Sequence, residues 1–193
     1  MLINKGIKQR GLFACYRQGL RGVLINKGIK QIYQQLNKSV YTKQEGTEMK
    51  NKYSYITDSH IELAKQLAHK YHAGQVDKAG VDYFNHLDQV AKGVDTKEGK
   101  VVGYLHDILE DTPCSPKEIR KIFGYSILKA IKTLTKKGDY DKYLSKVKRN
   151  PLARSVKLSD LKHNSDLTRL PTVTDADKQR QKKYLKAIEY LTE

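Results

Sequence analysis

Cysteine is scarce in this sequence, and long apolar runs are missing from it. Cys15 and Cys114 are the only cysteines among 193 residues, which excludes a disulfide framework and a zinc site of the CxxC type. No segment reaches the roughly 18 apolar residues that a membrane-spanning helix needs. The apolar stretches near the N-terminus are broken by Lys and Arg, so no cleavable signal peptide is expected. With a mean hydropathy of −0.69, we expect a soluble protein of a reducing cytoplasm.

Acidic residues are also few, because 21 Asp and Glu face 37 Lys and Arg, which gives a formal net charge of +16. One interpretation is affinity for polyanions such as nucleic acid or nucleotides. The other is a basic surface typical of a lysine-rich proteome. The basic residues are spread over most of the predicted helices with acids among them, which favours the second interpretation.

The first 48 residues differ in character from the rest of the chain. They contain nine Lys and Arg, two Glu, and the repeat LINKGIKQ at positions 2–9 and 24–31. Two short units are too few for a solenoid. The segment is either a leader that is not native, with Met49 as the natural start, or a genuine basic arm. We therefore divide the chain into a basic extension, 1–48, which we expect to be disordered or not native, and a domain, 49–193. We expect the domain to fold without the extension.

From Met49 onward the apolar residues recur with helical spacing, and no convincing alternating strand pattern is present. The sequence therefore predicts an all-α domain. The first predicted helix runs from Asp58 or Ser59 to about His72, and a short second one starts near Tyr83. A third covers about Lys100 to Asp111, and a fourth runs from a capping box at Ser115–Glu118 to Gly124. The remaining helices cover about Ser126 to Thr135, Asp141 to Val147, Pro151 to Leu167, and Thr174 nearly to Leu191.

The predicted helix at 100–111 is apolar except for four chemically active side chains. These are His106, Asp107, Glu110 and Asp111, whose spacing places them on one side of a helix. No Lys or Arg lies between Val101 and Asp111, and burying three carboxylates is costly without a cation. The alternative is an exposed acidic stripe on an amphipathic helix.

Two further segments carry groups of the same kind. Asp160 and Asn164 stand four residues apart in VKLSDLKHN, and His86 lies in YFNHLDQVA. Each is unremarkable alone, since a lone helical Asp is generally solvated and a lone His generally structural. Two imidazoles and two carboxylates together suit Mn²⁺, Fe²⁺, Zn²⁺ or a similar ion. Such an ion lowers the pKa of bound water, and Glu110 and Asp111 would then orient that water or move a proton.

Five stretches in one order resemble a known family. They are AHKYHAGQ (68–75), YFNH (83–86), GYLHDILEDT (103–112), LT (134–135) and VKLSDLKHN (156–164). The segment from about Ile61 to Asn164 resembles the HD hydrolase domain of the RelA/SpoT type, and a chain this short resembles the stand-alone hydrolases. The resemblance implies an all-helical HD-domain bundle that binds manganese and removes pyrophosphate from the 3′ position of the alarmone ppGpp or pppGpp.

The resemblance also implies roles for individual residues. The ligands of one divalent metal, Mn²⁺ by the resemblance, would be His86, His106, Asp107 and Asp160. Glu110 and Asp111 match the catalytic acidic pair, and Lys78 and Asn164 match substrate-binding positions. Tyr83 is expected to be structural, and His72 and His163 are expected to pack or to support the ligands.

Three positions depart from the family pattern. Asp77 stands where the family usually has an Arg that stacks on guanine, and Asp166 and Leu167 stand where a basic residue and a Thr are common. The ligand set is therefore complete, whereas the guanine site is altered. We expect a nucleotide substrate and no membrane partner. The alternatives are a different nucleotide, such as a dinucleotide phosphate or a 5′-mononucleotide, or a basic nucleic-acid-binding protein.

Overall fold

The computed structural model describes residues 56–193. The predicted extension at 1–48, its repeat and the two alternatives for its origin lie outside these residues. Residues 56–193 form eight α-helices and one short 3-10 helix, and the only β pairing among them is an isolated bridge between Val76 and Asp82. The all-α prediction is confirmed. No helix in this range is long and apolar enough to cross a membrane.

The helices are numbered here in chain order. They are α1 (Asp58–Tyr71), α2 (Tyr83–Lys92), α3 (Lys97–Leu105), α4 (Ile108–Asp111), α5 (Pro116–Leu134), α6 (Tyr140–Lys148), α7 (Pro151–Ser165) and α8 (Asp175–Thr192), with the 3-10 helix at Leu167–Arg169 between α7 and α8. Most begin after a Ser, Thr, Asp or Asn whose side chain accepts a hydrogen bond from the first turn.

The predicted capping box at the start of α5 is present in part. Ser115 Oγ accepts a hydrogen bond from Glu118 N at 3.2 Å, and Pro116 occupies the first turn as predicted. The Glu118 carboxylate accepts instead from the hydroxyl of Tyr71 at 2.7 Å, which ties α5 to α1. Later in α5, Gly124 has φ 81° and ψ −179°, so two helical segments meet there at a kink. The sequence predicted a helix end at this glycine, and the kink is its structural counterpart.

Helix α3 lies at the centre of the bundle and packs against α1, α2, α5 and α7. Six of its residues are buried. Gly103 allows the close approach of α2, because a Cβ at this position would lie 2.7 Å from the Ala91 Cα. The close contact brings the end of α3 against α2, which carries His86.

The predicted continuous helix at 100–111 is wrong, because α3 ends at Leu105 and α4 begins at Ile108. His106 Nδ1 lies 2.8 Å from Gly103 O. A side chain that occupies a helical carbonyl competes with the regular main-chain hydrogen bonds. Asp107, with φ −98° and ψ −3°, completes the turn between the two helices. This turn sets the directions of the polar side chains that follow it.

Candidate metal centre

Three side chains from two parts of the bundle converge at the turn between α3 and α4. His86 on α2, His106 and Asp107 each offer one ligand atom, and these atoms all lie within 4.8 Å of one another. The two imidazoles are 4% and 3% exposed. His106 Nε2 lies 3.0 Å from Asp107 Oδ2. These three residues, called the cluster below, are three of the four predicted metal ligands.

The hydrogen bonding of His106 tests whether a cation fits the cluster. Its Nδ1 faces Gly103 O, which only accepts, so Nδ1 carries the proton. Nε2 is then the ring nitrogen that can bind either a metal ion or a second proton, and it is buried without a hydrogen-bond partner among the described residues. A buried lone pair beside a carboxylate is unfavourable without a cation. Imidazole nitrogens with carboxylate oxygens are a donor set for a divalent transition metal, so the cluster fits such an ion.

The charges around His106 support the same conclusion. Burial alone would lower the pKa of His106, but the carboxylates of Asp107 and Asp160 raise this pKa to about 9. Burial alone would raise the pKa of Asp107, but His106 and the Tyr83 hydroxyl hold it below its usual range. The cluster therefore keeps its carboxylate ionised and favours a positive charge.

Asp160, the fourth predicted ligand, lies beside the cluster on α7. Its Oδ1 is 3.3 Å from His86 Nε2 and 3.9 Å from His106 Nε2. Lys157 Nζ donates to Oδ2 at 2.6 Å, and Asn164 Nδ2 donates to Oδ1 at 2.5 Å. Burial alone would raise the pKa of Asp160, but Lys157 and the two histidines lower it. Asp160 is thus an ionised carboxylate next to both imidazoles, and its role as a ligand remains a prediction.

Two contacts hold the cluster residues in place. Tyr83 Oη donates to Asp107 Oδ2 at 2.5 Å, and His163 Nδ1 lies 2.8 Å from His86 Nδ1. Burial and the nearby His86 lower the pKa of His163 to about 4, so this ring is neutral near pH 7. His72 is buried against the Tyr83 ring. The sequence interpretation gave Tyr83 only a structural part, although its place in YFNH, three residues before His86, was a usable signal.

A cavity of about 570 Å³ opens over the cluster. Six basic side chains line it: Lys78, Lys136, Lys157, Arg169, Arg180 and Lys183. The two predicted substrate-binding residues, Lys78 and Asn164, are both part of this lining. Arg180, Lys183 and Tyr184 come from α8, and sequence reasoning missed their contribution because nothing in the local pattern tells which face of α8 meets the cavity.

The two predicted catalytic acids differ in their position. Glu110 lines the cavity, and its Oε2 accepts a hydrogen bond from Lys136 N at 2.9 Å. Both acids are exposed, but Asp111 is not part of the cavity lining. Loss of solvent and the carboxylates of Asp107 and Glu110 raise the pKa of Asp111 to about 6. Since α4 is a single turn, neighbouring side chains on it point about 100° apart, and of the two acids only Glu110 lines the cavity.

Comparison with known proteins agrees with the fold. The family model described as HD domain matches residues 64–188, a range that includes all four predicted ligands. The chain belongs to the HD domain family, which confirms the family predicted from the sequence.

Two relatives are informative. A curated protein of Spiroplasma citri, guanosine-3′,5′-bis(diphosphate) 3′-pyrophosphohydrolase, is 34% identical over 93 residues, which is 42% of this chain and 12% of that protein. The chain thus spans about an eighth of the length of this relative. A solved structure, described as a metazoan ortholog of SpoT that hydrolyzes ppGpp and plays a role in starvation responses, matches with a TM-score of 0.58 at 20% identity. The matched region covers 72% of this chain and 88% of the chain in that structure. This likeness shows the fold.

Proposed function

We propose that this chain is a metal-dependent phosphohydrolase that removes pyrophosphate from the 3′ position of ppGpp or pppGpp. The observation that carries the proposal is the buried cluster of His86, His106 and Asp107 at the base of a cavity lined by basic side chains. The names of the Spiroplasma relative and of the structural neighbour support the choice of substrate. The proposed setting is the cytoplasm and the stringent response.

The proposed metal site adds Asp160 to the cluster, which gives two imidazoles and two carboxylates. Mn²⁺ suits this mixed nitrogen and oxygen set. A divalent ion held there supplies a water molecule of lowered pKa and charge stabilisation at the phosphoryl oxygens. Lys157 and Asn164 hold Asp160 by hydrogen bonds, and Tyr83 holds Asp107. These contacts orient the ligand oxygens before substrate arrives.

The reaction needs a proton acceptor on the attacking side. Water adds to the phosphorus next to the ribose and loses a proton, while the bond from this phosphorus to the ribose O3′ breaks. The O3′ takes up a proton, and the products are pyrophosphate and either guanosine 5′-diphosphate, from ppGpp, or guanosine 5′-triphosphate, from pppGpp. We assign the proton acceptor to Glu110, because its carboxylate faces the cavity and is oriented by Lys136 N. Asp111 would act only by helping to set the charge around Glu110 and Asp107.

The phosphates of the substrate need cations that are not already neutralised. Lys78, Lys136 and Lys183 line the cavity, and within residues 56–193 none of them forms an ion pair. We assign these lysines to the diphosphate groups, where they would stabilise the charge that develops on the phosphoryl oxygens. The Asn164 amide lines the same cavity and would contact the nucleotide beside Asp160.

The test is release of pyrophosphate from ppGpp by the full chain with Mn²⁺, followed beside the His106→Ala variant. The expected result is metal-dependent release by the wild type and none by the variant, because the variant loses the Nε2 ligand. A folded, manganese-loaded wild type that leaves ppGpp intact would reject the substrate. A panel of dinucleotide phosphates and 5′-mononucleotides would then identify the nucleotide for the same centre.

A further inference from the structure

One wall of the cavity is built by two segments that lie far apart in the chain. Val76 and Asp77 come from the loop between α1 and α2, and Leu167, Arg169 and Leu170 come from the 3-10 helix and the residue after it. These five residues are called the Arg169 wall below. The charges of Arg169 and Asp77 shift the pKa of His163 in opposite directions, and His163 contacts the cluster residue His86. The wall therefore lies close to the proposed metal centre.

Asp77 and Arg169 form an ion pair within this wall. Arg169 Nη1 donates to Asp77 Oδ2 at 2.8 Å, and the side chains are 21% and 7% exposed respectively. The other oxygen, Asp77 Oδ1, accepts from Ala79 N at 2.8 Å and from Val81 N at 3.2 Å. Both carboxylate oxygens are therefore used inside the protein. Asp77 presents no uncompensated negative charge to a phosphate, contrary to what the sequence alone suggested.

Asp166, the second acidic departure from the family pattern, also has a structural partner. Its Oδ1 accepts from Thr168 N at 2.9 Å and from Thr168 Oγ1 at 2.6 Å. These bonds cap the 3-10 helix that carries Arg169. Asp77 anchors the Arg169 guanidinium, and Asp166 anchors the backbone turn beneath it.

The guanidinium itself is incompletely satisfied. Arg169 Nε is buried and has no hydrogen-bond partner among the described residues. A buried donor left without a partner costs free energy, so Arg169 is not fully satisfied by its contacts within residues 56–193. Arg169 shares its wall with three aliphatic side chains, Val76, Leu167 and Leu170. A flat cation beside apolar surface suits an aromatic ring.

Charge decides which part of a nucleotide fits this wall. The Asp77 carboxylate offsets the charge of Arg169, so the pair attracts a phosphate weakly and suits an uncharged group. The lysines of the cavity that lack an ion pair suit the phosphates, as assigned above. We infer that the Arg169 wall is the nucleobase subsite of this cavity, with Arg169 stacking on the base and Asp77 acting as its positioning residue. This inference rests on the proposed function, because it presumes a nucleotide in the cavity.

The test measures binding of two probes to the full chain with Mn²⁺ by titration calorimetry. The probes are guanosine 5′-diphosphate, which has a base, and inorganic pyrophosphate, which has none. Arg169→Ala should weaken binding of the nucleotide about 10-fold or more, since stacking on each base contributes substantially to affinity. It also leaves the Asp77 carboxylate without its partner, so pyrophosphate should bind more weakly as well, but by a smaller factor than the nucleotide. Arg169→Lys should weaken binding of the nucleotide to a similar degree, because lysine has no planar face, and should leave pyrophosphate binding within about twofold, because it keeps a positive charge beside Asp77. Arg120→Ala, on the exposed surface of α5, is the matched control and should change neither affinity.

Asp77→Asn separates a positioning role from a merely structural one. Asparagine keeps the size of the side chain but releases the charge of Arg169, so pyrophosphate should bind more tightly while the nucleotide binds less tightly. In turnover of ppGpp, Arg169→Ala should raise KM and leave kcat nearly unchanged. Equal weakening of both probes by Arg169→Ala, full nucleotide affinity in that variant, or full affinity in Arg169→Lys would overturn the inference. If the wild type does not hydrolyse ppGpp, the binding data still decide, and a wild type that does not bind the nucleotide more tightly than pyrophosphate also overturns it.

Discussion

The proposed metal centre and the Arg169 wall belong to one cavity, but they are specified in different ways. The centre depends on particular donor atoms, and two of its three residues, His106 and Asp107, are neighbours in sequence. The wall depends on an ion pair between Asp77 and Arg169, whose residues are 92 positions apart. A metal ion needs ligand atoms of a particular kind, whereas the two residues of an ion pair can be replaced by other arrangements of charged side chains. We therefore expect the proposed reaction centre and the proposed recognition of the substrate to be separable, and the predictions that follow test that separation.

The largest effect is expected at the centre itself. Asp107→Asn replaces an ionised proposed ligand with a neutral one and removes the negative charge that favours a cation at His106. Metal-dependent turnover should fall by about 10³-fold or more, since metal catalysis contributes several kcal/mol. The measurement is kcat for ppGpp with saturating Mn²⁺, together with the manganese content of the purified variant. The exposed residue Asp95 provides the control, and Asp95→Asn should retain the wild-type rate. An Asp107→Asn variant with normal turnover would place the metal elsewhere.

The second prediction concerns the carboxylate beside the centre. Lys157→Met removes the ammonium that donates to Asp160 Oδ2 at 2.6 Å and leaves a buried negative charge with fewer partners. Without metal, the free energy of unfolding should fall by about 3 kcal/mol, the cost of breaking a buried pair. Urea titration measures it. Added Mn²⁺ should restore more stability to the variant than to the wild type, because the ion replaces the lost positive charge.

The exposed pair Lys178–Asp175 is the matched control for Lys157, since it is also spaced three residues apart on a helix and is solvated. Lys178→Met should cost less than about 1 kcal/mol, and Mn²⁺ should give no differential rescue. Equal losses in the two variants would mean that the Lys157 pair is no more than a surface pair.

The contrast between the centre and the wall also explains which features could be predicted from the sequence and which could not. Helix positions followed from apolar periodicity and caps, because both are local patterns. Helical spacing grouped His106 and Asp107 with Glu110 and Asp111, whereas the assignment of His86 and Asp160 as ligands came from the family resemblance. The break between α3 and α4 at His106 was missed, since it depends on a hydrogen bond from the His106 imidazole to the Gly103 carbonyl oxygen. The partner of Asp77 was missed because the pair with Arg169 forms only when two distant segments meet. Tertiary pairing of this kind has no local signature.

The third prediction tests the contact that orients Asp107, a proposed metal ligand. Tyr83→Phe removes only the hydroxyl that donates to Asp107 Oδ2 at 2.5 Å. Manganese affinity should fall about 10-fold, the usual effect of losing a hydrogen bond to a ligand, and binding of inorganic pyrophosphate to the saturated protein should be unchanged. Tyr104→Phe removes a similar bond, to Asp88 at 2.8 Å away from the cluster, and should leave manganese affinity unaltered. Equal losses of manganese affinity in both variants would contradict a specific role for Tyr83.

The smallest effect is expected at a glycine of the loop that carries Asp77. Gly80 has φ +78° and Gly138, in the loop before α6, has φ +71°, and a Cβ at either position meets no atom within 4 Å. Alanine at either position should therefore cost about 1 kcal/mol of stability through backbone strain alone. Only Gly80 shares a loop with Asp77, whose Oδ2 holds Arg169 and whose carbonyl oxygen accepts from Gly80 N at 3.1 Å. Gly80→Ala should thus also raise KM for ppGpp, whereas Gly138→Ala should not, and similar KM values in the two variants would show that the loop conformation does not position the Arg169 wall.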